Sequence, residues 1–326
     1  MSRILVTGLS GQDGSYLGEQ LLAEGHEVHA LVRASAPHPH ETLTPLAVET
    51  HVGDLGDPVG LRRLVEDLAP DVIYNLGGIS SVAQSWDEPV LTGRVSGLAL
   101  AALLEGVVAV RDRSGHDVRV VQASSSEIFG EPATVPQNEE TPIAPLSPYG
   151  VAKAYAHEIA RAFRSRGVHV SNAILYNHES PRRPVHFVTR KITHGAAMIA
   201  RGRQERLKLG NIAARRDWGW APDYVDAMIR MANAPSPGDY VVATGETHTV
   251  SDFISAAFRR AGIDEWHSVV SVDESLLRVA DVSAMVGDAA KASAELGWAP
   301  TIGFEEIVSR MVDHDLALLD GEHGGD

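Results

Sequence analysis

The stretch Arg3-Ile4-Leu5-Val6-Thr7-Gly8-Leu9-Ser10-Gly11-Gln12-Asp13-Gly14-Ser15-Tyr16-Leu17 decides the fold. Its apolar residues 4–6 read as a short strand, and Gly8, Gly11 and Gly14 follow at three-residue spacing before a helix at 15–24. Bare backbone in that position lets amides at a helix N-terminus approach a pyrophosphate. A tight strand-to-helix turn alone would not need three glycines so spaced.

Outward from this loop, strand-like runs at 27–32, 49–52, 72–76, 118–123 and 169–174 alternate with helical stretches at 58–68, 91–110 and 148–166. The alternation predicts an α/β fold, a doubly wound parallel sheet of the NAD(P)-binding Rossmann type. Beyond residue 176 the elements become shorter and mixed, with helices near 189–201, 222, 251 and 303 and a turn at Gly210-Asn211. That part reads as a smaller mixed α/β substrate lobe. The expected division gives 1–175 to the nucleotide-binding domain, with 217–245 returning to it through a strand at 241–243. Residues 176–216 and 246–318 form the lobe, and 319–326 read as a flexible tail.

The 326 residues carry 28 Lys+Arg against 43 Asp+Glu, a formal charge of −15, with 44% hydrophobic residues and no cysteine. Such a length buries a substantial core, and the missing thiols exclude disulfides, thiolate catalysis and cysteine-held metals. Acidity opposes binding to a phosphate backbone, so no nucleic acid partner is expected. The N-terminus turns polar after residue 6, unlike a signal peptide. The longest near-apolar run, 98–110, contains Glu105 and falls short of the ~20 residues of a spanning helix. A cytoplasmic protein without a membrane partner is expected, with that run as a buried helix.

At the end of the second strand stands Arg33, where a carboxylate would bind the ribose of NAD; a cation there favours the 2′-phosphate of NADP. Asp54-Leu55 and Leu76-Gly77-Gly78 follow the third and fourth strands on the same side. Tyr149 and Lys153 share one helix face, and an ammonium beside a phenol is expected to lower its pKa, making Tyr149 a base for a hydroxyl proton. The fifth strand leads into Ser124-Ser125-Ser126-Glu127, where serines can polarise an oxygen or cap a turn. Glu127 is the more telling: alcohol oxidation needs no carboxylate, whereas deprotonation of a carbon beside a new ketone does. Between His178 and Arg216 lie ten basic residues and two acidic ones, a concentration suited to a diphosphate. The 15 histidines include no H-E-x-x-H set, and His38 and His40 lie in a Pro-rich stretch, so no metal is expected.

Together with Tyr176-Asn177-His178-Glu179-Ser180-Pro181-Arg182-Arg183, Phe187-Val188-Thr189-Arg190-Lys191-Ile192-Thr193 and Arg216-Asp217-Trp218-Gly219, these residues resemble the extended short-chain dehydrogenase/reductase superfamily. Within it they resemble the GDP-mannose 4,6-dehydratase family over nearly the whole chain. The resemblance implies that Ser125 stands for a catalytic hydroxyl that is usually Thr, that Glu127 is the acid/base, and that Tyr149 with Lys153 is the oxidation pair. It implies NADP contacts from Gly8, Leu9, Ser10, Gly11, Gln12 and Asp13, with Gly14 in the same loop. Arg33, Asp54 and Leu55 continue them, followed by Leu76, Gly77, Gly78, Ile79 and Ser80, then Lys153, His178 and Arg183. For the GDP-hexose it implies Ser85, Asn177, Thr189, Lys191, Gly210, Arg216 and Arg278, the last from a degraded Arg278-Val279-Ala280-Asp281-Val282 motif.

The reaction so implied oxidises C4 of GDP-mannose, eliminates water across C5 and C6, and reduces C6 with the same recycled NADP. The product is GDP-4-keto-6-deoxymannose. An NADP-dependent nucleotide-sugar 4-epimerase or 4-reductase is the alternative chemistry, and a catalytically silent NADP-binding protein the alternative class. Three departures from the family bear on the substrate lobe: Trp220 for a His, Ser80-Ser81 for Ser-His, and a shortened segment at 262–273. Ala34 replaces a second Arg, and only 17 residues separate Arg33 from His51 where a tetramer-building segment belongs. A homodimer is therefore expected rather than a tetramer.

Overall fold

The computed structural model describes residues 1–34, 48–276, 282 and 284–321. Strands β1 (Arg3–Thr7), β2 (Glu27–Val32), β3 (Val48–Val52), β4 (Val72–Asn75), β5 (Arg119–Ala123) and β6 (Val170–Leu175) fall within a residue of the expected positions at each end. The lobe adds β7 (Asn177–Glu179), β8 (Leu207–Leu209), β9 (Arg215–Arg216) and β10 (Trp218–Trp220) before β11 (Asp239–Val242) returns to pair with β6. The large sheet has seven parallel strands in the order β11-β6-β5-β4-β1-β2-β3. β6 is buried along its whole length, as a strand covered on both faces must be.

Helix α1 (Gln12–Ala23) covers one face of the sheet; α2 (Pro58–Leu68) lies on the other. A short α3 (Val82–Asp87) precedes α4 (Pro89–Ser114), and α5 (Pro148–Arg164) lies beside α4. The helix expected at 91–110 is thus longer, 26 residues with a π-helical segment at Gly93–Leu98, and by length and composition it could cross a membrane. The apolar residues of its second half are committed to the core: Leu100, Leu103, Leu104 and Val107 pack with Leu61 and Val65 of α2.

Local chemistry starts these helices. Asp57 accepts the Val59 and Gly60 amides ahead of Pro58, and Ser147 accepts the Gly150 amide ahead of Pro148, both helices opening on proline in the first turn. In the lobe, α6 (Val188–Ala200) is followed by α7 (Ala221–Asn233), which belongs to the core of the large sheet, and by α8 (Val250–Arg260), opened by a Thr249–Asp252 capping box. Two further strands, β12 (His248–Thr249) and β13 (Val270–Val272), join β9 and β8, and β14 (Ala284–Met285) adds to β9. The chain ends with α9 (Ala290–Leu296) and α10 (Phe304–Gly321). Trp218, Phe253, Phe258 and Ile307 lie in the lobe's own core.

The tail expected from residue 319 does not begin there. α10 runs through Gly321, Leu319 is buried, and Asp320 accepts from Arg201 at 2.6 Å, so packing and charge carry the helix through its Asp-Gly pair. Residues 322–326 lie outside the described residues.

Candidate active site

β1 and β4 are neighbours where the strand order reverses, the place at which an open α/β sheet offers a ligand crevice. Gly8 has φ +77°, and a Cβ there would lie 2.8 Å from the Gly77 backbone. A Cβ on Gly14 would lie 2.2 Å from the Gly8 carbonyl oxygen. Only glycine permits these approaches, and the result is bare backbone at the start of α1, a cradle that fits a dinucleotide pyrophosphate. Thr7 Oγ1 donates to Asn75 Oδ1 at 2.7 Å and accepts the Gly77 amide at 3.0 Å, while Asn75 donates to Gln122 at 2.6 Å. This buried network ties the floor of the crevice across three strands. Arg33 is exposed at the end of β2, and Asp54 accepts the Gly56 amide of its own turn at 2.7 Å.

β5 delivers Ser125 and Glu127 to the carboxyl edge of the sheet. Ser125 caps the short turn Ser126–Ile128, accepting the Glu127 amide at 3.2 Å, and is also hydrogen bonded to Tyr149. Lys153, one turn after Tyr149, donates from Nζ to the Ala123 carbonyl at 2.7 Å and lies 5.8 Å from the centre of the Tyr149 ring. The spacing predicts a lowered phenol, and the structure reverses this. Burial pushes Tyr149 up to about 12, with the Ser125 hydrogen bond a smaller opposing effect. Burial also brings Lys153 down to about 8. Desolvation wins because the ammonium is turned to a backbone carbonyl rather than to the phenolic oxygen.

The glycine loop is tied to the lobe. His178 faces the Tyr176 carbonyl with Nδ1 at 2.7 Å and Asp13 Oδ2 with Nε2 at 2.9 Å. With acceptors at both nitrogens, the imidazolium donates twice. Burial alone would lower His178, but the Asp13 carboxylate raises it above its ordinary value; burial alone would raise Asp13, but His178 holds it below. Gln12 Nε2 donates to the His178 carbonyl at 3.0 Å, and Ser180 Oγ donates to Gln12 Oε1 at 2.9 Å.

From the lobe, Thr189 Oγ1 donates to buried Glu179 at 2.6 Å, and Arg183 Nε lies 3.4 Å from the same carboxylate. Gly210 passes close to another chain segment: a Cβ there would lie 2.6 Å from the Leu276 carbonyl oxygen. Arg216 is buried and donates to the Val282 carbonyl at 2.8 Å. Half of the basic concentration expected to clamp a diphosphate is spent on other groups of the protein. Arg182 pairs with Glu19, Arg190 with Asp315 and Arg201 with Asp320, while Arg203 and Arg215 donate to the Leu319 and Thr247 carbonyls. Arg183, Lys191 and Arg216 are the members that line the cavity.

That cavity, of about 450 Å³, brings Ser125, Glu127, Tyr149 and Lys153 together with Asp13, Leu76, Ser80, His178 and Arg183. Asn177, Thr189, Lys191, Gly210 and Arg216 complete it from the lobe. The remaining cofactor candidates, Gly8, Leu9, Ser10, Gly11, Gln12, Gly14, Arg33, Asp54, Leu55, Gly77, Gly78 and Ile79, are not on its wall; they occupy the glycine loop and the ends of β2, β3 and β4. Ser85 does not reach it either, being fully buried with its hydroxyl donating to the Val82 carbonyl at 2.6 Å. Arg278 lies outside the described residues. Glu179, His186, Phe187 and Trp218 line the cavity although no motif assigns them a role. Glu179 could have been found from Asn177-His178-Glu179, a buried strand among candidate contacts.

The family model described as "GDP-mannose 4,6 dehydratase" matches residues 5–311. GDP-mannose 4,6 dehydratase 1 of Arabidopsis thaliana is 44% identical over 329 residues, covering 98% of this chain and 91% of that protein. The Homo sapiens GDP-mannose 4,6 dehydratase is 40% identical over 342 residues, covering 97% and 91%. Among solved structures, the Thermus thermophilus UDP-glucose 4-epimerase in complex with NAD superposes with a TM-score of 0.81 at 29% identity, covering 96% of this chain and 98% of that one.

Proposed function

The chain belongs to the GDP-mannose 4,6-dehydratase family, and from that membership we propose how its own residues carry the reaction. It is a nucleotide-sugar hydro-lyase that converts GDP-mannose to GDP-4-keto-6-deoxymannose and water, using a nicotinamide cofactor. The observation that carries the residue-level reading is Glu127 on the same cavity wall as Tyr149 and Lys153. Epimerisation or reduction at C4 has no use for a base at C5.

We propose NADP as the cofactor, held by the Gly8–Gly14 loop, by exposed Arg33 at its 2′-phosphate, and by Lys153, His178 and Arg183. When bound there, the oxidised cofactor would supply the hydride acceptor for C4 and, once reduced, the hydride donor for C6, and its positive charge would favour the Tyr149 phenolate. Tyr149 takes the 4-hydroxyl proton, with Ser125 bonded to its hydroxyl. Lys153, one turn along the same helix as Tyr149 and fixed by the Ala123 carbonyl, is the cation that faces the cofactor. Glu127 removes the C5 proton that the 4-ketone has made acidic, then protonates the departing 6-hydroxyl. Lys191 and Arg216 supply the cations for the substrate diphosphate, and the enclosing lobe keeps stray water from the unsaturated intermediate. In this proposal residues 1–175 and 217–245 hold NADP, while 176–216 and 246–318 hold the nucleotide sugar. The working form is proposed as a homodimer.

The test is GDP-mannose carrying deuterium at C4, with NADP⁺ in catalytic amount. Mass spectrometry is expected to find loss of one water and the deuterium on the new methyl group. Deuterium lost to solvent overturns the internal hydride route. Glu127→Gln is expected to lower kcat by roughly 10²–10⁴-fold, the usual contribution of a positioned acid/base. Full turnover in that variant overturns the role of Glu127.

A further inference from the structure

Far from the cavity wall, the outer strands β2 and β3 place Glu27 and His29 beside Glu49 and His51. In their parallel register His29 is opposite Glu49 and Leu31 opposite His51, so these alternate residues share one face of the sheet. The His29 side chain is buried, its Nε2 facing Glu27 Oε1 at 3.0 Å. Its other nitrogen, Nδ1, lies 2.9 Å from His51 Nε2 and 3.7 Å from Glu49 Oε2. One ligand atom from each of His29, Glu49 and His51 lies within 4.8 Å of the others.

We propose that His29 Nδ1, His51 Nε2 and the Glu49 carboxylate form a site for a divalent transition-metal ion of the zinc type. Two imidazoles and one carboxylate are a donor set that such an ion accepts, leaving a fourth position for water. Bonds of about 2.0–2.2 Å around a tetrahedral ion place ligand atoms roughly 3.3 Å apart. The observed separations of 2.9 and 3.7 Å straddle that value, and Glu49, with 65% of its side chain exposed, is free to swing inward. The partner on the far side of His29 is the stronger sign. A carboxylate accepting from Nε2–H fixes the tautomer whose Nδ1 lone pair points outward, the arrangement that orients metal-bound histidines. Without an ion, that lone pair accepts from His51 Nε2–H. The ion takes the place of this shared proton as His51 moves its own proton to Nδ1.

The ligands carry no local spacing motif, so no metal is expected from the sequence; 19 residues lie between His29 and Glu49, and only strand pairing unites them. An ion here would fasten edge strand β3 to β2, whose ends carry Asp54 and Arg33. Calorimetric titration of chelator-treated full-length protein with zinc chloride is expected to give saturable 1:1 binding and a raised Tm, and cobalt(II) to give visible absorption from a low-coordinate site. His51→Gln and Glu49→Gln, which spare buried His29, are expected to weaken zinc binding at least tenfold while keeping NADP affinity. Glu27→Ala, which removes the acceptor that orients His29 together with its Arg3 contact, is expected to weaken it about 10- to 100-fold. Absence of saturable binding, or binding unchanged in His51→Gln and Glu49→Gln, overturns the site.

Discussion

Asp13 and His178 carry opposite charges across the boundary between the glycine loop and the lobe, 2.9 Å apart and largely out of water. His178 is raised above 6.5, so its share of stability is complete below that unfolded value and is lost as pH climbs through the higher folded one. Asp13 is lowered below 3.8, so its share is complete above 3.8 and is lost as pH falls through the lower folded value. Both shares are therefore whole only between the two unfolded values. Asp13→Asn leaves a buried imidazolium without its counter-charge, a loss of roughly 3–5 kcal/mol. Urea unfolding from pH 4 to 9 is expected to show the largest gap between wild type and Asp13→Asn on the acid side of pH 6.5, narrowing above it. Proton NMR is expected to show the His178 pKa falling in the variant. A gap that widens with alkaline pH contradicts the pair.

At the scale of elements, the start of α5 positions chemistry. Ser147 ends the loop by accepting the Gly150 amide at 3.0 Å, and the helix it opens carries Tyr149 in its first turn. Ser147→Ala is expected to cost about 1 kcal/mol in chemical unfolding, the usual worth of such a cap. Fraying there displaces the phenol, so kcat is expected to fall more than KM rises; an unchanged kcat would separate the cap from the site. Features of this local kind were legible beforehand: the helices expected at 58–68 and 148–166 open on Pro58 and Pro148, and Gly8, Gly11 and Gly14 announce the cradle. What escaped depends on partners remote in sequence. Arg190 looks like a phosphate clamp until Asp315, on α10, is folded against it. Ser85 looks available until its hydroxyl meets the Val82 carbonyl. Lys153 looks like the cation that lowers Tyr149 until burial is weighed and its Nζ is found on Ala123. Spacing reveals which side chains share a face; it does not reveal how much water they keep.

For the whole molecule, the surface beside α4 and α5 bears on assembly. The two helices meet where Gly97 approaches Ala152 and Tyr155, a join that admits no larger residue at 97 without movement. Around it the chain exposes Val90 (77%) and Val151 (54%), with Leu98 and Tyr155 also open to solvent. Under the proposed homodimer these apolar side chains are the face that a second copy, placed by a two-fold axis, would cover with the same residues. Charge strengthens this reading, because a chain of −15 repels its own copies everywhere except where charges are absent. Sedimentation equilibrium at micromolar concentration is expected to give twice the monomer mass for wild type. Val90→Glu with Val151→Glu places charges on this apolar patch and is expected to give the monomer mass, with the far-ultraviolet spectrum unchanged. A wild type that sediments as a monomer removes the second copy as occupant of this face, whereas a dimer that survives both glutamates moves the interface elsewhere on the molecule.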